Sequence, residues 1–227
     1  MKAMILAAGR GERLRPLTDD VPKALIEAGG KPLLAWHLER LAKSGCREAV
    51  INVSHLAERI VERIGDGARY GLRIAYSREP QPLETAGGLA QARALLGAEP
   101  FLLVNSDIYC EADFSRLRRV RLGARLGHLV LVPNPPHRPG GDFTLDDGFI
   151  GNGPGQRYTY AGVAVMSPTL FAQVQAGEKA PLAPLLRAAA ERRLLSGELY
   201  AGLWQDVGSA ERLAELRARL ASRNETD

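Results

Sequence analysis

Cysteine is scarce in this sequence, which has only Cys46 and Cys110 among its 227 residues. Neither belongs to a Cys-x-x-Cys pair or lies at a zinc-ligand spacing from a histidine, so the common zinc-site patterns are excluded and we assign neither cysteine a role. Long apolar runs are missing as well, because the N-terminal run is too short for a signal peptide or a membrane span. We therefore expect a cytoplasmic protein without a membrane partner.

An excess of one charge is also lacking. Thirty lysines and arginines against 26 aspartates and glutamates leave a net charge of +4, spread over mixed-sign segments such as 116–125 and 212–223. This distribution argues against a nucleic-acid partner. A mild positive balance still suits small polyanionic substrates such as phosphates, because a steering field can be local to one cleft. The 45% hydrophobic and 25% charged residues are typical of a globular enzyme.

Short apolar segments alternate with amphipathic segments through the first half of the chain. Strands are predicted at residues 3–8, 48–53, 72–76 and 100–104, and helices at residues 33–42, 56–64 and 88–96. The alternation is typical of βαβ units and predicts an α/β fold with a single doubly wound, mostly parallel, Rossmann-like sheet. In such a sheet, ligands bind at the carboxyl ends of the strands.

The second half of the chain has a weaker pattern. Strands are predicted at residues 129–132 and 160–166, helices at residues 182–193 and 210–223, and a loop rich in proline and glycine at residues 133–155. No linker or change of composition separates these segments from the first half. We therefore expect a single domain over residues 1–227.

The loop after the first predicted strand has the most distinctive pattern. Residues 9–18 are G-R-G-E-R-L-R-P-L-T, and Pro22-Lys23 follows them. Two glycines let backbone amides approach a phosphate closely, and the guanidiniums and the lysine supply charge-assisted hydrogen bonds. The loop is neither a Walker A loop nor a dinucleotide fingerprint, because Leu14 stands where the third glycine would be. Each residue alone fits a solvated loop equally well, but together they indicate a triphosphate cradle.

Two aspartates follow segments that would end near this loop. Asp107 comes in N-S-D directly after the predicted strand 100–104, and Asp206 comes in W-Q-D-V-G near the end of the chain. Mg²⁺ prefers one or two carboxylates together with substrate phosphates and waters, and a carboxylate at the end of a parallel strand is well placed for it. Taken alone, each aspartate is also an ordinary turn or helix-capping residue.

The motif L-A-A-G-x-G-x-R-L-x-P-L-T, with the following P-K, resembles the signature of the sugar-1-phosphate nucleotidyltransferases. The resemblance covers nearly the whole chain. It implies a nucleotide-binding half of about residues 1–110, a sugar-binding half of about residues 111–227, and two small-molecule substrates, an NTP and a sugar 1-phosphate.

The resemblance also implies roles for particular residues. It makes Asp107 and Asp206 the ligands of a Mg²⁺ cofactor, and it gives catalytic roles to Arg13, Lys23 and Asp107. The implied nucleotide-binding residues come from the signature loop and from the segment near residue 85: Ala7, Ala8, Gly9, Gly11, Glu12, Arg13, Lys23, Glu79, Ala86 and Gly87.

Residues 83–88, L-E-T-A-G-G, resemble the family's P-L-x-T-A/G-G element, whose backbone lies along the base and the ribose. Gly88 would then open a helix, and Glu79 or Gln81 would hydrogen-bond the edge of the base. The alternative interpretation is a turn that only starts a helix.

The choice among possible sugar substrates rests on resemblance alone. Enzymes for glucose 1-phosphate usually carry a Tyr-Gly pair after the strand that here ends at Pro133, whereas this chain has V-P-N-P-x-H-x-x-G-G-D-F. With L-E-T in place of the commoner L-G-T, the chain is similar to the bacterial branch that joins UMP to N-acetylmuramate α-1-phosphate in cell-wall recycling. Ala86 stands where that branch often has a third glycine. The resemblance implies the sugar-binding residues Asn105, Gly140, Gly141 and Asp142, with His137, Arg138 or Arg157 facing the lactyl carboxylate.

Other functions share most of these residues. A mannose-1-phosphate guanylyltransferase or a glucose-1-phosphate uridylyl- or thymidylyltransferase would differ only in base and sugar contacts. A non-enzymatic sugar-nucleotide sensor would be expected to have lost Asp107, Asp206, Arg13 or Lys23, and all four are present. Outside these motifs, His37 and His55 are expected in helical segments and are interpreted as packing or surface residues.

Overall fold

A computed structural model describes residues 1–224 of the chain. The strands are β1 (Ala3–Leu6), β2 (Glu27–Ala28), β3 (Lys31–Pro32), β4 (Glu48–Val53), β5 (Arg73–Arg78), β6 (Phe101–Asn105), β7 (Ile108–Cys110), β8 (Gly127–Val132), β9 (Phe143–Asp146), β10 (Phe149–Gly151), β11 (Arg157–Met166), β12 (Leu195–Leu199) and β13 (Trp204–Asp206). The α-helices are α1 (Leu17–Asp20), α2 (Leu33–Lys43), α3 (Ala57–Ile64), α4 (Glu84–Gln91), α5 (Arg93–Leu96), α6 (Phe114–Leu117), α7 (Leu182–Glu191) and α8 (Ala210–Asn224). No helix in this part of the chain is long and apolar enough to cross a membrane.

Nine strands form the main sheet, in the order β5-β4-β1-β6-β11-β8-β12-β10-β9. Strands β5, β4, β1 and β6 are parallel to one another. Strand β11 is antiparallel to both β6 and β8, β12 is parallel to β8, and β10 is antiparallel to β12 and β9. The predicted α/β class is confirmed, but the prediction of a mostly parallel sheet is wrong, because the sheet is mixed.

The physical reason for this error lies in β11. A central strand that is covered on both faces is apolar at successive positions whichever way it runs, so the hydrophobic pattern reports burial and not direction. Residues 161 and 163–166 of β11 are all fully buried. The sequence therefore identified a buried strand without identifying its orientation.

The second half of the sheet closes on itself. Strand β9 pairs with β11 as well as with β10, so β11, β8, β12, β10 and β9 form a ring. The register between β11 and β8 shifts between Tyr160 and Ala164, and Gly162 at this bulge has a φ of +75°. A Cβ on Gly162 would lie 2.8 Å from Asn105 Nδ2, so the glycine lets β11 approach the end of β6.

Helices cover both faces of the sheet. Alternate residues of β1 point to opposite faces, so Ile5 packs in the core beneath α2, α3 and α6, and Met4 packs in the core beneath α4, α5 and α7. A third apolar cluster lies under α8, where Leu213, Leu216 and Leu220 recur at helical spacing and pack with Leu14 of the signature loop. Helix α8 therefore packs against the signature loop through Leu14.

Two local predictions were wrong in detail. The helix expected at residues 88–96 begins at Glu84 and is interrupted after Gln91. Gly88 was predicted to open the helix with its amides exposed, but it lies inside α4 together with Gly87. A Cβ on Gly87 would lie 2.2 Å from the carbonyl oxygen of Glu178, so close packing requires glycine at this position of the helix. His55 lies in the turn before α3 and not in the helix.

Candidate active site

The signature loop follows β1 at the carboxyl end of the parallel strands. Gly11 has a φ of +68°, and a Cβ at this position would lie 2.9 Å from Thr18 Cγ2. The hydroxyl of Thr18 donates a hydrogen bond to the carbonyl oxygen of Gly11 at 2.9 Å, and Leu14 is buried against α8. The loop is thus held by a glycine turn, a threonine and an apolar anchor, which leaves its arginines exposed.

A cavity of about 700 Å³ lies over this loop. Four of its lining side chains are cationic, and one is a carboxylate. The lining residues are Arg10, Gly11, Glu12, Arg13, Lys23, Gln81, Pro82, Lys179 and Gly208. This excess of positive charge in a concave site suits a polyanion such as a triphosphate.

A second cavity, of about 230 Å³, adjoins the first and shares Gly11, Lys23 and Pro82 with it. Its other lining residues come from the ends of β1, β4 and β6 and from the start of α4: Leu6, Ala8, Gly9, Asn52, Glu79, Glu84, Thr85, Asn105, Ser106 and Asp107. The two cavities form one cleft, and Asp107 lies in the smaller part. The position of the cleft agrees with the expectation that ligands bind beyond the carboxyl ends of the strands.

A buried chain of hydrogen bonds forms the wall of the smaller cavity. Asn52 Oδ1 accepts from the backbone N–H of Ala7 at 2.7 Å, and Asn52 Nδ2 donates to Glu79 Oε1 at 2.6 Å. The other oxygen of Glu79 accepts from the backbone N–H of Leu83 at 2.9 Å. Both side chains are buried, so this chain fixes the strand ends relative to the loop before α4. Ala7 and Glu79 therefore lie at the predicted site, but their polar groups bind other parts of the chain.

Ala86 and Gly87 lie behind the cleft. Their backbone N–H groups both donate to the carbonyl oxygen of Ala180, at 2.9 and 3.0 Å, and both residues are buried. These bonds attach the loop before α7, which contains Lys179, to the start of α4. Thr85, which the sequence analysis did not single out, lines the cleft instead.

Asp107 is paired with a cation of the signature segment. Lys23 Nζ lies 2.6 Å from Asp107 Oδ2, and the lysine side chain is only 11% exposed, against 36% for the aspartate. Strand β7, which starts at the next residue, pairs with β13 so that Ile108 lies opposite Asp206. The backbone N–H of Val207 donates to the carbonyl oxygen of Asp107 at 2.7 Å. The two aspartates, about a hundred residues apart in the chain, therefore lie close together: Asp107 immediately precedes β7, and Asp206 ends β13, which pairs with it.

Asp206 is contacted by a histidine and by an arginine. His137 Nε2 lies 3.2 Å from its Oδ1, and Arg212 Nη2 lies 3.5 Å from its Oδ2. The described residues contain no cluster of three or more His, Cys, Asp or Glu side chains suited to a metal. Two carboxylates alone match the ligand set of a hard cation that takes its remaining oxygens from substrate phosphates and water.

His37 supports Asp107 from the core. It lies in α2, is buried, and its Nε2 donates to the carbonyl oxygen of Ile108 at 2.8 Å, while its Nδ1 has no partner within the described chain. Burial lowers the pKa of His37 to about 4, so the ring is neutral at pH 7. The interpretation of this histidine as a packing residue agrees with its position, and its hydrogen bond fixes the backbone next to Asp107.

The free energy of unfolding should depend on pH, because the His37 ring is buried in its neutral form. The unfolded chain, whose histidine titrates near 6.5, takes up a proton that the folded chain, with a pKa of about 4, does not. The contribution to stability is therefore complete above pH 6.5 and is lost as the pH falls toward 4. We expect the free energy of unfolding to decrease by about 1 kcal/mol through this group between about pH 7.5 and 5.5. Denaturant unfolding measures the decrease; His37→Gln, which keeps a donor, should show a smaller one, and an equal decrease would contradict the assignment.

The loop at residues 134–142 reaches the site through His137. Asn134 Nδ2 donates to the carbonyl oxygens of Pro139 and Arg157, both at 3.0 Å, and Asn134 Oδ1 accepts from the hydroxyl of Thr159. Asn134 therefore holds the loop in shape from within. The residue was not predicted, although an asparagine among prolines is a common turn signal.

Most side chains that were predicted to face the sugar form hydrogen bonds or ion pairs within this loop or with the strand beside it. Asp142 Oδ2 accepts from the backbone N–H of Tyr160 at 2.9 Å, and Asp142 Oδ1 lies 3.4 Å from Arg138. Arg157 donates to the carbonyl oxygens of Asp142 and Asn152. A Cβ on Gly141 would lie 2.8 Å from Asn134 Oδ1, whereas Gly140 has open space around it.

Comparison with known proteins shows to which protein family this chain belongs. The sequence model of the nucleotidyl transferase family matches residues 2–138. The chain belongs to this family. N-acetylmuramate alpha-1-phosphate uridylyltransferase of Neisseria meningitidis serogroup B is 49% identical over 96% of this chain and 97% of its own length. The catalytic subunit beta of mannose-1-phosphate guanylyltransferase from Drosophila pseudoobscura is 32% identical over 91% of this chain but only 59% of its own length.

Solved structures show the same fold at low sequence identity. A Bacillus anthracis crystal structure with bound sucrose has a TM-score of 0.86 and 18% identity, covering 97% of this chain and 95% of its own. An apo UDP-glucose pyrophosphorylase has a TM-score of 0.79 and 18% identity, covering 98% of each chain. The mixed sheet described above is thus the architecture of this nucleotidyl transferase.

The matched region of the family model covers only part of the site. It includes the signature loop and Asp107 but ends before Asp206. Beside Asp206, a further cavity of about 500 Å³ is lined by His137, Trp204 and Arg212 among others. Trp204 and Arg212 were not predicted, because no local pattern in the sequence shows that α8 packs beside β7 in this nucleotidyl transferase.

Proposed function

We propose that this nucleotidyl transferase joins UMP from UTP to N-acetylmuramate α-1-phosphate and releases pyrophosphate, as a cytoplasmic step of peptidoglycan recycling. The observation that carries the reaction class is one continuous cleft in which four cationic side chains meet Asp107, while the β7–β13 pairing brings Asp206 from a distant segment to the neighbouring position. The Neisseria relative, at 49% identity over nearly the full length, supports the choice of nucleotide and sugar.

The chemistry requires no general base from the protein. A sugar 1-phosphate is already anionic at neutral pH, so one of its phosphate oxygens attacks the α-phosphorus of UTP directly. The bond from the α-phosphorus to the bridging oxygen breaks, and pyrophosphate leaves with the electron pair. Catalysis then consists of alignment and charge neutralisation, for which Arg13 and Lys23 at the wall of the larger cavity are well placed.

The carboxylates Asp107 and Asp206 fit a Mg²⁺ ion, because both are oxygen ligands, Asp107 lines the cleft, and the pairing of β7 with β13 brings Asp206 near it. When bound, Mg²⁺ would supply positive charge shared between the two reacting phosphates. The contacts that these carboxylates make with Lys23, His137 and Arg212 would be exchanged for the metal. Those three side chains would then be free to face substrate anions.

The sugar would lie between the end of β6 and the 134–142 loop. Asn105 borders the cleft there and packs against Gly162. Among the residues considered for the lactyl carboxylate, Arg138 is paired with Asp142 and Arg157 donates to two carbonyl oxygens, whereas His137 contacts Asp206, which would release it on binding Mg²⁺. We therefore assign the lactyl contact to His137 and a framework role to Arg157.

A substrate panel tests this assignment. Pyrophosphate release should be measured with UTP, GTP, CTP and dTTP against the 1-phosphates of N-acetylmuramate, N-acetylglucosamine, glucose and mannose. We expect UTP with N-acetylmuramate 1-phosphate to exceed UTP with N-acetylglucosamine 1-phosphate by about tenfold or more in kcat/KM, because one partly desolvated charged contact is sufficient for that difference. Equal efficiencies, or a preference for mannose 1-phosphate with GTP, would reject the muramate assignment and leave the transferase class standing.

A further inference from the structure

Glu84 has a backbone conformation that favours glycine. It is the first residue of α4 and has a φ of +60°. A residue with a Cβ is destabilised in this left-handed region, whereas glycine adopts it freely. Glutamate therefore occupies a backbone conformation that glycine would adopt at a lower conformational free energy.

Packing and ion pairing do not account for the glutamate. Its side chain is 44% exposed and lies 3.6 Å from Nζ of Lys179, whose side chain is 66% exposed. An ion pair between two such exposed groups contributes little to stability. A conformational cost without a compensating structural gain points to a role for the carboxylate in binding.

The position of the carboxylate indicates what it would bind. Glu84 lines the smaller cavity, which also contains Asn52 and Glu79, and its partner Lys179 lines the larger, cationic cavity. Glu84 and Lys179 therefore lie where the smaller cavity meets the cationic cavity, and an NTP with its phosphates in the cationic cavity would extend past this junction. In an NTP, the group between the base and the phosphates is the ribose.

We propose that Glu84 accepts a hydrogen bond from a ribose hydroxyl of the bound nucleotide and so selects ribonucleotides over deoxyribonucleotides. A carboxylate facing the triphosphate would repel it, whereas a hydroxyl donates a charge-assisted hydrogen bond to it. When a ribose hydroxyl binds Glu84, the Glu84–Lys179 ion pair is broken. Lys179 is then free to contact the phosphates in the larger cavity, which it lines. This inference rests on the proposed function, since it requires an NTP in the cleft.

Calorimetric binding of UTP, 2′-deoxy-UTP and 3′-deoxy-UTP to the full chain with Mg²⁺, without sugar phosphate, tests the inference. The wild-type chain is expected to bind at least one deoxy analogue about tenfold more weakly than UTP. Glu84→Gly should bring that ratio close to one, and Glu84→Gln should give an intermediate value. Glu12→Gln removes another carboxylate from the cleft and should change the affinity for all three nucleotides alike.

Thermal unfolding separates this role from a structural one. Glu84→Gly relieves the left-handed backbone, so its unfolding temperature should equal or exceed that of the wild type. A folded Glu84→Gly variant that keeps the wild-type ratios for both analogues would overturn the inference while leaving the proposed function intact. Failure of the wild-type chain to bind UTP at all would overturn both.

Discussion

Replacing Asp107 or Asp206 by alanine is expected to abolish turnover while the fold survives. Each substitution removes one of the two carboxylates that would hold Mg²⁺, and the remaining carboxylate alone would bind the ion too weakly to supply its positive charge to the reaction. Loss of such electrostatic stabilisation costs roughly a hundredfold or more in kcat. The β7–β13 ladder that positions both residues is made of backbone hydrogen bonds, so it does not depend on these side chains.

Pyrophosphate release over a range of Mg²⁺ concentrations measures the effect, with Asp107→Asn and Asp206→Asn as variants that keep the side-chain shape. Asp113→Asn provides a matched control. Asp113 caps α6 by accepting from the backbone N–H groups of Ser115 and Arg116, and asparagine is an equally good cap. The control should retain its rate and stability. A near-wild-type rate at low Mg²⁺ in either active-site variant would show that the metal ligands were wrongly assigned.

Lys23→Ala is expected to slow the reaction by more than tenfold. The lysine reaches both cavities and is 11% exposed, so its ammonium lies where a phosphate would be partly shielded from water. One charge-assisted contact of this kind is worth roughly 1.5 to 3 kcal/mol. The loss should appear in kcat/KM for UTP.

Lys23→Met refines this experiment, because it keeps the aliphatic stem that lies near Gly11 and removes only the charge. Lys31→Met serves as the control, since Lys31 pairs with Glu39 and covers Trp36 away from the cleft. Equal kcat/KM values for Lys23→Met and wild type would remove Lys23 from the site. A loss in Lys23→Ala alone would assign its effect to packing.

Local sequence patterns were sufficient for the parallel half of the sheet and for the signature loop. The turn at Gly11 and the exposed arginines follow from glycine conformation and charge, which are properties of neighbouring residues. The strand ending at Asn105 was predicted because a short apolar run is bounded by polar residues. These features need no knowledge of distant contacts.

Features that depend on distant contacts were not predictable in the same way. The chain from Ala7 through Asn52 to Glu79 joins three segments, and its only local sign is an asparagine at the end of an apolar strand. The pairing of Asp107 with Asp206 was expected from resemblance alone. Ala86 and Gly87 were expected along the nucleotide, but their amides bind Ala180, a partner that no spacing in the sequence reveals.

The wide separation of Asp107 and Asp206 has a consequence for synthesis. About a hundred residues lie between them, which a ribosome adds in roughly 5 to 20 s at typical rates of elongation. During that interval the emerging chain contains the signature loop but only one of the two carboxylates proposed to bind Mg²⁺, and Leu14 is not yet covered by α8. The nascent chain should therefore be inactive and should expose an apolar surface to chaperones until the last helix has emerged.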